Sequence, residues 1–177
     1  DLSDVVTQDA DISIFTIESD EGLEIMRHTV AAQVLARAIK NLYPKAKLAI
    51  GPTIENGFYY DFLSDERVSI DDLPKIEKEM EKIVAEKSVI TKTIHSKKEA
   101  IKSFTDAKED YKVKIIEDSE QEDNFQLYNQ GDTGFIDLCR GPHLPSLEKV
   151  GAFKLTKIAG AYWKGDSQNE MLSRIYG

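Results

Sequence analysis

The sequence predicts an α+β fold: an antiparallel sheet with helices packed on one face, including a long buried N-terminal helix. Three observations carry this expectation. Helical and strand-like patterns do not alternate regularly along the 177 residues, as a parallel βαβ sheet would require. Residues 18–44 are apolar along two adjoining stripes, one through Leu23, Met26, Val30, Val34, Ala38 and Leu42, the other through Ile25, His28, Ala32, Leu35 and Ile39. A helix apolar over that much of its circumference is buried rather than laid on a surface. Finally, Asn56-Gly57 stands between two β-rich runs in "KLAIGPTIENGFYYDF", which is a hairpin signal.

Each element has its own warrant. "DADISIFTI" (9–17) alternates through Ile12 and Ile14 and reads as a strand. The helix over 18–44 can be capped by Ser19 or Asp20, carries Glu21 and Glu24 near the positive end of its dipole, and is stopped by Pro44. Residues 69–87 form an amphipathic helix with a Ser69/Asp72 capping box and a buried face of Leu73, Ile76, Met80, Ile83 and Val84. "SVITKTIH" reads as a strand and "SKKEAIKSF" as a short helix, while "YKVKII" (111–116) fits either period. The acidic "EDSEQEDN" reads as a solvated loop, and "FIDLC", "AFKLTKI" and "AYWKGD" as short strands between glycine-bearing turns.

Bulk composition narrows the function classes. Apolar residues are 41% of the chain and charged residues 31%, enough for one core with a well-solvated surface. The net charge of -9 argues against a generic nucleic-acid coat protein, though not against a local basic patch. After residue 143, Lys149, Lys154, Lys157, Lys164 and Arg174 outnumber Glu148, Asp166 and Glu170. That balance suggests a basic rim or, equally, a solvated face. One cysteine excludes an internal disulfide framework and fits a reducing, cytoplasmic setting. No apolar run approaches the roughly 20 residues that span a bilayer. The two ends read as those of a piece cut from a longer protein.

Four polar residues form the candidate site. Asp137 and Cys139 are two apart in "FIDLC" and so face the same side of a strand. Gly141-Pro142 can turn His143 back over Cys139. His28 projects from the long helix. One thiolate and two imidazoles could hold a catalytic zinc with an open fourth position. Cys139 could be a nucleophile activated by a histidine, or a histidine or Asp137 could activate water. The plainer alternative is that a lone cysteine is a small buried hydrophobe. His95, near Lys97 and Lys98, reads as a surface residue.

"IGPTIENGFYYDF", "YKVKII", "FIDLCRGPHLPS" and "FKLTKIAGAYWKGDSQNEMLSRIYG" together resemble the N-terminal editing region of bacterial threonyl-tRNA synthetases. The resemblance runs from about residue 18 to the end. It implies that residues 1–17 are the tail end of a small ubiquitin-like domain and that 18–177 form the editing domain. The class II aminoacylation domain, with its ATP, its zinc and most of the homodimer contacts, would lie beyond this chain.

In that family the domain hydrolyses serine wrongly esterified to tRNA(Thr). A missing methyl gives a binding site only about 1–3 kcal/mol of discrimination, so a second site is needed. The family's site combines an HxxxH helix and a CxxxH turn with an Asp and a Lys. The matching positions here are His28, Lys112, Asp137, Cys139 and His143, with Tyr60 and Asp61 bordering the pocket. By resemblance, Lys112 would bind the tRNA end or stabilise charge, and His28, or Asp137 through a water, would assist attack. Cys139 and His143 would shape the pocket.

The second histidine of HxxxH is missing. Ala32 stands four residues after His28, and the segment is one residue longer than the family's usual helix. Alignment from the C-terminal side sets Gln33 at that place, about 140° from His28 on an ideal helix, and a π-bulge could bring it nearer. A four-ligand metal site is therefore not expected. No cofactor is expected in this chain, and any zinc would rest on His28, Cys139 and His143. The alternative function is a non-catalytic tRNA-binding module in which editing was lost with that histidine.

Overall fold

In the computed structural model, which describes all residues 1–177, the long helix starts where its cap predicts. Ser19 is the N-cap, and its hydroxyl accepts the Gly22 N–H at 3.0 Å. The helix runs as α1 (Asp20–Thr29), a π-type turn (Val30–Leu35) and α2 (Ala36–Leu42). A π turn holds one more residue than an α turn. The six residues Val30–Leu35 take this wider turn without breaking the helix. Apart from Gly22, burial begins at Thr29: Val30 to Ala36 are all buried, whereas Leu23 is 40% exposed.

The remaining elements are β1 (Lys47–Leu48), β2 (Thr53–Ile54), β3 (Gly57–Leu63), α3 (Leu73–Ala85), β4 (Ile90–His95), α4 (Lys97–Asp106), α5 (Asp110–Glu117), β5 (Phe125–Gln130), β6 (Ile136–Leu138), β7 (Lys157–Tyr162) and β8 (Met171–Tyr176). The class is α+β and every strand pair is antiparallel, but there are two sheets where the sequence suggested one. The first has the order β1-β3-β8-β7, with β2 pairing on β3, and the second the order β4-β5-β6.

The main core forms between these layers. Leu35 and Ile39 of the long helix pack with Phe58, Tyr60 and Phe62 of β3, with Ile76, Met80 and Ile83 of α3, and with Ile90 and Tyr128 of the second sheet. Fully burying each such side chain contributes about 1.5–3 kcal/mol. A smaller core of Ala100, Phe104, Ile116, Phe125 and Leu127 fastens α4 and α5 to the second sheet. The Ser69/Asp72 capping box is present and starts α3 through a short 3-10 turn.

Several local expectations are corrected. Residues 9–17 form no strand; Ile12 and Ile14 are 74% and 88% exposed. Alternation makes a strand only where another strand supplies the ladder, and none lies alongside. The hairpin turns at Glu55-Asn56, one residue earlier than predicted, because Gly57 already pairs with Ile54. "YKVKII" is the helix α5. "AFKLTKI" is a strand only from Lys157, and "AYWKGD" leaves β7 after Tyr162 for a short 3-10 turn in which Lys164 and Gly165 take φ of 55° and 72°.

Candidate active site

A cleft of about 1340 Å³ opens between the α1–π-turn junction, the loop from Ala49 to Thr53, α5 with the segment after it, and the β6–Pro142 turn. His28, Ala32, Lys112, Asp137 and Cys139 line it. His28 lies in the last turn of α1, immediately before the helix widens. Asp137 is the inward residue of β6, flanked by the exposed Ile136 and the half-buried Leu138. Lys112 comes from the first turn of α5. The helical outcome for "YKVKII" is what turns its side chain toward β6.

Lys112 and Asp137 form a buried ion pair, Nζ to Oδ1 at 2.6 Å, with side chains only 3% and 2% exposed. Burial pushes the Asp137 carboxyl above its usual range and the Lys112 ammonium pulls it back. The Leu138 N–H at 2.9 Å and the Tyr60 hydroxyl at 3.4 Å donate to the same carboxylate. Tyr60 therefore supports Asp137 from within the core and does not line the cleft. Gly51 is required above it, since a Cβ there would stand 2.2 Å from the Tyr60 ring.

His28 is fixed at both ring nitrogens. Nδ1 lies 3.2 Å from the Gly51 carbonyl, which can only accept, so Nδ1 carries the proton. Nε2 then presents a lone pair, and it lies 2.7 Å from Cys139 Sγ. Burial raises the Cys139 thiol to about 11, so the S–H is present and donates to Nε2. The Gly141 N–H donates to the sulfur at 3.2 Å. Cys139 is thus a protonated partner of His28, not a thiolate nucleophile.

His143 follows the cis Gly141-Pro142 bond and stacks on His28, with ring centroids 4.6 Å apart and planes 9° from parallel. It sits behind His28, out of the cleft lining, with the edge of Tyr128 against it at 4.4 Å. Both histidines are held neutral. Burial lowers His28 below its ordinary value, and burial, with the repulsion that any proton on His28 would add, brings His143 down to about 3.

The sign of the pH dependence follows. An unfolded histidine takes a proton near 6.5, so between that value and about 3 the unfolded chain binds a proton that folded His143 refuses. Stability is complete above the unfolded value and falls as pH falls through this window. On lowering the pH from about 7.5 to about 5, the urea midpoint of the wild type is expected to drop further than that of a His143→Gln variant. Equal drops would sink the assignment.

The two remaining predicted residues lie elsewhere. Asp61 is gripped by Arg174, with Oδ1 and Oδ2 accepting from Nε and Nη2 at 2.7 and 2.8 Å, and it does not reach the cleft. Gln33 is fully buried; its carbonyl and its Oε1 accept from Gln130 Nε2 at 2.9 and 3.3 Å, and Arg37 donates to Gln130 at 2.7 Å. The π turn is present, yet the residue that lines the cleft four positions after His28 is Ala32.

The basic rim is absent. Of the five cations after residue 143 only Lys164 borders the cleft, and Glu21, Glu24, Asp118 and Asp123 border it too. Lys164, Lys154 and Arg174 are paired with Asp118, Glu77 and Asp61, as expected where carboxylates outnumber cations. Sequence reading also missed Thr29, which bonds His143. Its position next to His28 was the one available signal.

The donor set of His28, Cys139 and His143 falls within 4.8 Å and in kind suits zinc. Its spacing does not. Zinc bonds of roughly 2.0–2.3 Å in a tetrahedral arrangement set nitrogen and sulfur about 3.5 Å apart, whereas Nε2 and Sγ are at hydrogen-bond distance, 2.7 Å.

Two antiparallel sheets with their helices thus enclose a cleft that holds an imidazole, a thiol and a buried Lys–Asp pair. Residues 126–176 match the family of the threonyl and alanyl tRNA synthetase second additional domain. Over its whole length the chain is 50% identical to the threonine–tRNA ligase of Clostridium novyi and 48% identical to that of Marinobacter nauticus. It is 52% identical to that of Clostridioides difficile over 176 residues. The chain spans 27% of the length of each of these ligases, and the similarity falls in their N-terminal region. No helix is long and apolar enough to cross a membrane.

Proposed function

We propose that this chain is the editing part of a cytoplasmic threonine–tRNA ligase and hydrolyses the ester of Ser-tRNA(Thr). The observation that carries the reading is a neutral His28, anchored through Nδ1, beside the Lys112–Asp137 pair on one wall of the cleft. The aminoacylated 3′ end of tRNA(Thr) enters the cleft with the ester carbonyl toward Lys112. A water attacks the carbonyl carbon, and His28 Nε2 takes its proton as the Cys139 S–H that caps this nitrogen turns away. Lys112 stabilises the charge that develops on the carbonyl oxygen. The bond to the ribose oxygen breaks, and that oxygen takes the proton held by His28 Nε2, releasing serine and tRNA. Asp137 keeps the Lys112 ammonium in place, and no metal is needed.

Deacylation of Ser-tRNA(Thr) and of Thr-tRNA(Thr) by this chain is the test. Serine should be released faster than threonine by at least the roughly 10-fold that one methyl supports. Equal persistence of both esters, with tRNA still bound, would favour the binding-only reading. The bare methyl of Ala32 beside His28 is the one observation on that side.

A further inference from the structure

We propose that Thr29 is a positioning residue that fixes His143 in its Nδ1–H tautomer, through which it holds the His28 ring; its effect on rate rests on the deacylase reading. The hydroxyl of Thr29 has one proton and two lone pairs, and three groups surround it. The Ile25 carbonyl lies at 2.8 Å, the Leu144 N–H at 3.0 Å and His143 Nδ1 at 3.3 Å.

The Ile25 carbonyl can only accept and is the nearest, so it receives the hydroxyl proton, the usual i−4 back-bond of a helical threonine. Sending that proton to His143 would leave two oxygen lone pairs facing each other at 2.8 Å. The Leu144 N–H can only donate and fills one lone pair. One lone pair remains, and His143 Nδ1 can meet it only by carrying a proton. The hydroxyl is then saturated: one bond given, two accepted.

The consequence is carried outward. With the proton on Nδ1, His143 Nε2 is a bare lone pair, and it is one of the two buried side-chain nitrogens without a partner, the other being Gln33 Nε2. Of the ring's two nitrogens only Nδ1 is anchored to the protein, so Thr29 sets the plane that stacks on His28 at 4.6 Å. Thr29, fully buried itself, thus lies outside the cleft and acts on the reaction only through the two rings.

The test combines ring spectroscopy with kinetics on protein carrying 15N-labelled histidine. In the wild type, 15N shifts should place the His143 proton on Nδ1 and leave Nε2 unprotonated. Thr29→Val, nearly the same shape without the hydroxyl, should move protonation toward Nε2. It should also lower kcat for Ser-tRNA(Thr) by about 10- to 100-fold, the usual cost of losing a group that orients a histidine, with KM little changed. Thr29→Ser keeps the hydroxyl and should restore both the tautomer and most of the rate. A wild-type His143 protonated on Nε2, or a tautomer indifferent to Thr29→Val in a folded variant, overturns the inference. The expected tautomers in a wild type that releases no serine would uphold it and remove the deacylase reading instead.

Discussion

A Lys112→Met substitution is expected to destabilise the fold by about 3–5 kcal/mol, because it strands a buried carboxylate without its counter-charge. Asp137 has a side chain 2% exposed and its nearest partner is the Lys112 ammonium at 2.6 Å. What remains is one backbone N–H and a long contact from Tyr60, too little to replace the pairing. The carboxyl would recover part of the loss by taking a proton, so the deficit should shrink as the pH is lowered. Adding Asp137→Asn to Lys112→Met should also recover much of it, since the double variant buries no charge. Urea titrations of the wild type, both single variants and the double variant measure the coupling. Additive single effects would show that the pair contributes nothing as a pair. Deacylation should stay low in the double variant even where stability returns, because the cation facing the ester is gone.

His28→Ala is expected to lower kcat for Ser-tRNA(Thr) by about 10²–10⁴-fold, the range for loss of a positioned proton acceptor. KM should move little, since His28 presents one nitrogen to the cleft and is not its main wall. The variant should fold, because His28 is only half-buried and lies outside the main apolar core. A rate within about threefold of the wild type would transfer the proton-accepting role away from His28. The same measurement on Cys139→Ala separates the partners. The thiol is a donor to Nε2, so its loss should cost far less than loss of the imidazole.

The predictability of this molecule varied element by element. The capped helices were legible because the cap and the apolar stripe lie within a few residues of each other: Ser19 for the long helix, Ser69 and Asp72 for α3, and the Leu73–Ile76–Met80–Ile83 face. The β6 strand was legible for the same local reason, since Asp137 and Cys139 must share a face. Residues 9–17 misled because their alternation is real but has no partner strand. "YKVKII" could not be read by period alone; its helical state was decided by packing of Ile116 against Phe104 and Phe125.

The grouping of His28, Lys112, Asp137, Cys139 and His143 in one place was legible, and so was a π-type turn in the long helix. Chain chemistry determined that much: which groups can titrate, which can donate, and how many residues must fit into the helix. Tertiary structure alone decided where they act. It sent Gln33 to Gln130 and left Ala32 on the cleft. It gave Asp61 to Arg174, and it placed His143 behind His28 with Thr29 at its back. It also made Cys139 a thiol and the two histidines neutral. These outcomes depend on partners up to 115 residues away in sequence and on how much water each group loses, and neither distance through space nor dehydration is written in a local pattern.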